Sequence, residues 1–93
     1  MTDQEALRDV ARRVIWFESP EEALRLPKRF LTYVMTYGTL EEILVVQKFF
    51  SRSSFEDALN DPLPGIFDPA SWNYWNGVFG RWPAPPMPER YIP

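Results

Sequence analysis

The sequence contains neither cysteine nor histidine. Without cysteine it can form no disulfide framework, zinc knuckle, iron–sulfur cluster or thiol nucleophile. Without histidine it lacks the commonest general base and the usual transition-metal ligand, which excludes Ser-His and Cys-His catalytic arrangements. Oxygen ligands are present, but the acidic residues do not follow the spacing of a calcium loop. We therefore expect a protein that is not an enzyme and needs no cofactor.

Long apolar runs are also absent. The longest, residues 14–17 and 43–46, fall far below the roughly 20 residues of a membrane-spanning helix. The N-terminus carries acidic residues and no apolar segment of a secretory signal, so we expect a cytoplasmic protein. The net charge is −3, with the acidic excess in the second half of the chain. This balance disfavours nucleic acid as a general partner.

The apolar content of 45% predicts a folded domain, and 93 residues are enough for one modest core. A Ser or Thr followed three residues later by Glu occurs four times, at Thr2/Glu5, Ser19/Glu22, Thr39/Glu42 and Ser53/Glu56. Each pair can form a capping box at a helix start. Asp68 before Pro69 marks a fifth start. We predict an all-α bundle of five or six short helices over residues 1–80, followed by a proline-rich extended tail over residues 81–93.

Helical periodicity places these elements along the chain. The predicted helices cover residues 3–14, a short stretch from 20, residues 27–37 and 40–50, a brief stretch from 53 to 59, and residues 69–79. Residues 43–46 could form a strand, but the capping box and the segment length favour a helix. Because residues 40–50 are apolar around most of the circumference, we expect them to form the central, most buried helix.

The apolar stripes also predict a core. Its expected members are Leu7, Val10, Phe30, Val34, Ile43, Val46, Phe49, Trp72, Trp75 and Phe79. Tyr37 is expected on the apolar stripe of the third helix, and Val78 on that of the last. Gly38 is expected to end the third helix in the left-handed conformation.

A basic group is the first candidate binding surface. Its members are Arg8, Arg12, Lys28 and Arg29, with Arg13 and Arg25 nearby in sequence. These side chains could meet nucleic acid or an acidic protein if the first and third helices pack side by side. Alternatively, they form a solvated face with local ion pairs, for example Asp9 with Arg13.

Residues 27–50 also have the lengths and the glycine turn of a helix-turn-helix. The second helix would then present Glu41 and Glu42 to phosphate, followed by an apolar body, which disfavours DNA recognition through this unit.

The segment 71–76 combines three aromatic rings with two amides. Trp72, Asn73 and Trp75 could bind a small molecule by stacking and hydrogen bonding. Alternatively, the two tryptophans belong to the core, since an aromatic stripe at helical spacing usually packs.

The tail is rich in proline, which excludes helix and favours polyproline II. Residues 85–90 fit the P-x-x-P-x-R pattern that SH3-type grooves accept. Large apolar residues flank this pattern, so the tail either folds back on its own domain or docks on a partner. The candidate partner-binding residues are Trp82, Pro85, Pro88, Arg90, Tyr91 and Ile92.

The order of several short motifs resembles a family of small, uncharacterised, all-helical bacterial proteins. The matching segments are residues 15–18 (IWFE), 30–38 ending in Tyr-Gly, 39–42 (TLEE) and 71–80 from SWNYWN to Phe-Gly. Members are often encoded beside nucleotidyltransferase-type toxins of the abortive-infection class. The resemblance implies a small non-catalytic antitoxin or accessory partner and supplies no catalytic residues. The proline tail departs from the family pattern. The expected function is therefore protein binding, with nucleic-acid binding and small-molecule binding as alternatives.

Overall fold

A computed structural model describes residues 2–88, which form six helices and no strand. The helices are α1 (Asp3–Val14), α2 (Pro20–Leu24), α3 (Pro27–Tyr37), α4 (Leu40–Val46), α5 (Arg52–Asn60) and α6 (Pro69–Val78). The all-α prediction is confirmed, including helix rather than strand for residues 43–46. The predicted helix over 40–50 is shorter than expected, because α4 ends at Val46.

Helix starts follow capping chemistry at most of the predicted sites. Thr2 and Thr39 form complete capping boxes, whereas Ser19 accepts from the Glu22 backbone N–H without the reciprocal bond. Asp68 caps α6, with proline at its first position. The predicted start at Ser53 is wrong. Ser51 is the N-cap, because its hydroxyl accepts from the Ser54 backbone N–H at 3.3 Å.

The central helix is α3, and it contacts each of the other five helices. Its buried residues are Phe30, Leu31, Thr32, Val34 and Met35. The Thr32 hydroxyl is satisfied inside the core by donating to the Lys28 carbonyl at 2.7 Å. The expectation that the helix after Thr39 is the most buried is wrong. Only Val46 of α4 is fully buried, because α4 packs on the edge of the bundle with one side toward solvent.

The predicted core is largely correct, with Ile43 and Phe79 partly buried. The prediction that Phe49 belongs to the core is wrong, since its side chain follows the end of α4 and is 38% exposed. Tyr37 and Val78, which were expected on apolar stripes, are also exposed. The core also contains residues that periodicity did not predict. Phe55 stacks on Trp75 at 5.8 Å between ring centroids, and Phe67 meets Trp72 edge-on at 5.4 Å. The two α6 tryptophans thus join α5 and the following loop to the central helix.

Two helices end at glycine for different reasons. Gly38 has φ −72°, so the predicted left-handed conformation is wrong. Glycine is needed there because a Cβ atom would lie 2.5 Å from the Val34 carbonyl oxygen. Gly80 has φ +76°, and the backbone N–H groups of Gly80 and Arg81 donate to the carbonyls of Gly77 and Asn76. This is the Schellman pattern.

Residues 81–88 fold back on the helical domain without forming helix or strand. The Trp72 indole N–H donates to the Pro85 carbonyl at 2.7 Å, and Ala84 and Met87 pack against the core. Arg81 lies 3.7 Å from the Glu56 carboxylate. For these residues the structure selects the fold-back alternative. The candidate partner residues Arg90, Tyr91 and Ile92 lie outside the described residues.

Candidate functional site

The basic residues do not form a bare cationic face. Arg8 pairs with Glu21, Arg12 with Asp9, Lys28 with Asp61 and Arg29 with Glu18. Arg25 pairs with Glu22. The expected pair of Asp9 with Arg13 is wrong, because Asp9 instead binds Arg12. The local ion-pair alternative therefore describes this surface, and phosphate would have to displace a carboxylate at each position.

The aromatic helix α6 uses its tryptophans structurally. Both rings are buried, and both indole N–H groups are already bonded, Trp75 to the Met35 carbonyl at 2.8 Å and Trp72 to the tail. Asn76 is buried and donates to the Trp72 carbonyl at 2.9 Å. Asn73 is exposed. Trp72, Asn73 and Trp75 therefore do not share one accessible stacking surface.

An exposed aromatic cleft lies instead between the end of α1 and the C-terminal half of α3. We call it the aromatic cleft, and its volume is about 340 Å³. Its lining residues are Arg13, Val14, Trp16, Phe17, Tyr33 and Tyr37. The rings form a chain of edge-on and stacked contacts with centroids 5.6–6.1 Å apart. Trp16 is 78% exposed, so the cleft presents a large indole surface to solvent.

A bidentate ion pair supports one edge of the aromatic cleft. The Arg29 guanidinium donates to the Glu18 carboxylate at 2.7 and 2.9 Å. The same guanidinium lies 5.8 Å from the Phe17 ring centroid and 5.7 Å from that of Tyr33. This hydrogen bonding lowers the pKa of Glu18 below its ordinary value and raises that of Arg29. The pair holds the two rings in place by cation–π contact.

A second ion pair fixes the corner between α3 and α4. Arg13 of α1 donates through two nitrogens to the Glu42 carboxylate, and also to the Tyr37 carbonyl at 2.7 Å. Glu42 additionally accepts from the Thr39 backbone N–H at 2.9 Å as part of the capping box. The bond from Arg13 is the main reason that the pKa of Glu42 is lowered, against a desolvation effect that raises it.

A second open cleft adjoins this corner. We call it the Leu40–Tyr74 cleft, and its volume is about 380 Å³. Its lining residues are Met35, Thr36, Gly38, Leu40, Ile43, Ala70, Ser71, Tyr74 and Trp75. Leu40 is 72% exposed and Tyr74 62% exposed, while Met35 and Trp75 are buried beneath them. Together the two clefts expose apolar side chains on both sides of the α3–α4 corner.

The described residues contain neither a metal-binding cluster nor a membrane-spanning helix. Over residues 2–88 no group of three or more Asp and Glu side chains is arranged to hold a metal ion. Within the same residues, no helix is long and apolar enough to cross a membrane.

The fold and the two clefts define a small all-α domain with an exposed aromatic and aliphatic surface. Comparison of the chain with protein-family models, curated proteins and solved structures gives no significant match.

Sequence reasoning missed most of this surface. Periodicity placed Tyr37 on an apolar stripe and Leu40 in the helix expected to be most buried, and it gave Trp16 and Phe17 no place in the fold. One signal was available, since α1 ends at Val14 and the four consecutive apolar residues 14–17 cannot all face the same core. Ile15 turns inward, whereas Trp16 and Phe17 turn outward.

Proposed function

We propose that this chain is a cytoplasmic, non-catalytic protein-binding domain that uses the surface around the α3–α4 corner. The observation that carries the proposal is the exposure of Trp16, Leu40 and Tyr74 at 62–78% beside two open clefts. Large contiguous apolar patches on a small domain commonly mark interaction sites. Tryptophan, tyrosine and arginine are the residue types that dominate interface energies.

The surface suits a protein better than a nucleic acid. Every Lys and Arg of residues 2–88 lies within 4 Å of a carboxylate, and Arg52 and Arg81 share Glu56. Nucleic-acid binding depends on cations that neutralise phosphates, so this arrangement supplies little of that affinity. The exposed rings at the corner lie next to paired charges rather than a basic patch.

The resemblance to proteins encoded beside nucleotidyltransferase-type toxins identifies the first partner to test. We propose that the chain acts as the small antitoxin or accessory subunit of such an enzyme. Neutralisation would follow from covering the enzyme's surface or substrate cleft, without chemistry by the chain itself.

The test is affinity purification of the full chain, tagged at its N-terminus, from its native host at physiological salt. We expect a stoichiometric protein partner. Substituting Trp16→Ser together with Tyr37→Ser should abolish recovery, because both rings lie in the aromatic cleft. Leu26→Ala is the matched control, since Leu26 is exposed at the opposite end of α3.

Trp82 needs a separate variant. It is 72% exposed in the part of the tail that folds back, so Trp82→Ala removes a candidate anchor without disturbing the Trp72–Pro85 bond. Truncation after Gly80 would instead remove that bond and the packing of Ala84 and Met87. Recovery of no protein, or equal recovery by the cleft variant and wild type, contradicts the proposal.

A further inference from the structure

The Leu40–Tyr74 cleft is open, and two buried apolar side chains lie at its floor. Met35 and Trp75 are buried beneath Leu40 and Tyr74, and no residue of 2–88 covers those two exposed side chains. The walls come from the first turn of α4 and the first half of α6, so the opening runs between two helix starts. Such an opening suits an inserted side chain from a docked helix.

The charges around this cleft are unbalanced in one direction. Residues 2–88 contain four carboxylates outside the ion pairs: Glu5, Glu41, Asp57 and Asp68. Two of them adjoin residues that line the cleft. Asp68 accepts from the Ser71 backbone N–H at 2.7 Å, and Ser71 lines the cleft. Glu41 follows Leu40 in the first turn of α4 and is exposed.

The excess of negative charge near the cleft indicates which kind of partner it binds. A second copy of the chain carries the same net charge of −3 and, over residues 2–88, offers only cations that are already in ion pairs. Nucleic acid would bring phosphates toward Asp68 and Glu41, which like charges oppose. A segment with free Lys or Arg beside an apolar anchor complements both the floor and the rim.

We propose that the Leu40–Tyr74 cleft binds a basic amphipathic helix of a partner protein. An aliphatic or aromatic anchor of that helix enters between Leu40 and Tyr74, and its Lys or Arg side chains approach Asp68 and Glu41. This inference rests on the proposed function and specifies the partner segment that the protein-binding surface takes.

The experiment measures binding of a fluorescent probe to the full chain by anisotropy. The probe is an amphipathic peptide of about 15 residues, long enough to form a helix on binding, with leucines on one face and lysines beside them. A second peptide has glutamate in place of every lysine. We expect the lysine peptide to bind at least about tenfold more tightly than the glutamate peptide at low salt, and the difference to shrink at high salt.

Four variants locate the site. Leu40→Ala should weaken the lysine peptide about tenfold by removing the exposed wall. Asp68→Asn and Glu41→Gln should each weaken it about threefold to fivefold. Asn caps a helix nearly as well as Asp, so Asp68→Asn removes the charge and keeps the α6 start. Asp57→Asn is the charge-matched control, because Asp57 lies on α5, which contributes no residue to the cleft; the affinity of this variant should stay within about twofold of wild type.

Several results would overturn the inference. These are equal affinity for the two peptides, binding of neither, or unchanged lysine-peptide affinity in Leu40→Ala. Dimerisation of the chain that Leu40→Ala abolishes would assign the cleft to a second copy and also overturn it. The outcome for the proposed function can be distinguished from the outcome for this inference. If a host partner depends on Trp16 and Tyr37 but not on Leu40 or Asp68, the protein-binding function stands and this inference falls.

Discussion

Replacing Gly38, Gly77 or Gly80 by alanine should change stability in different directions, because the three positions differ in the space around them and in backbone conformation. At Gly38 the new Cβ would lie 2.5 Å from the Val34 carbonyl oxygen, whereas ordinary contact begins at 3.4 Å. The carbonyl must therefore retreat by about 0.9 Å, or the start of α4 must move away from it. At Gly77 no atom beyond the backbone of its own helix and its chain neighbours lies within 4 Å of the added Cβ, so the same methyl group meets open space.

The cost at Gly38 follows from two terms. The Val34 carbonyl also accepts from the Gly38 backbone N–H at 2.8 Å, and weakening that bond costs about 1 kcal/mol. Overpacking adds about 1–3 kcal/mol, while the smaller entropy of the unfolded chain returns about 0.4–1 kcal/mol. We expect Gly38→Ala to lower the free energy of unfolding by about 2 kcal/mol, which corresponds to a fall in Tm of roughly 8–16 °C for a domain of this size.

Gly77 and Gly80 serve as comparisons for Gly38. Gly77→Ala should raise the free energy of unfolding by about 0.5–1 kcal/mol, because alanine is the better helix former. Gly80→Ala should lower it by about 1–2 kcal/mol through the left-handed backbone alone, since no atom lies within 4 Å of its added Cβ.

Urea denaturation followed by tryptophan fluorescence and circular dichroism measures all three variants. A Gly38→Ala protein within about 0.5 kcal/mol of wild type would refute the close packing described for the α3–α4 corner. A destabilised Gly77→Ala protein would refute the open space at that position.

Four further substitutions test three other features. Glu42→Gln keeps an acceptor for the capping box but removes the charge beside Arg13, and should cost about 1 kcal/mol at pH 7. Because the folded state lowers the pKa of Glu42, this stabilisation is present above the ordinary glutamate pKa and is lost as pH falls through the lowered value; denaturation midpoints of variant and wild type should therefore converge in acid, and a constant gap would contradict the assignment. Ser51→Ala should cost about 1 kcal/mol whereas Ser53→Ala should change stability by less than about 0.5 kcal/mol, and the reverse order in thermal melts would move the start of α5. Trp75→Phe should cost about 1–3 kcal/mol by leaving a buried carbonyl of α3 without its indole donor, and a neutral effect in the same melts would argue against that bond.

Helix starts were predictable from the sequence because capping is local chemistry. A hydroxyl or carboxylate satisfies backbone N–H groups two or three residues away, so Thr2, Ser19, Thr39 and Asp68 could be assigned without knowledge of the fold. The failure at Ser53 has the same local character. Ser51 and Ser53 both precede the apolar residues of this segment, but Ser53 lies inside α5. Glu56, the expected box partner of Ser53, instead lies near Arg52 and Arg81.

The choice of central helix could not be predicted from periodicity. Residues 40–50 are apolar around most of the predicted helix circumference, yet α4 lies at the edge of the bundle with Leu40 exposed, while α3 takes the centre. Burial is favourable for any apolar segment. The neighbouring helices, however, can cover only part of the apolar surface, so their packing decides which segment is buried.

The candidate site shows the same division. The sequence by itself determined a small, all-α, cysteine- and histidine-free domain, because capping, periodicity and missing chemical groups are properties of residue type and spacing. Only the tertiary structure decided that Trp16, Tyr37, Leu40 and Tyr74 are exposed around one corner, and that the candidate cations are neutralised by acids up to 33 residues away in sequence. Exposure and ion pairing depend on which helices pack together, and that packing is set by the whole chain at once.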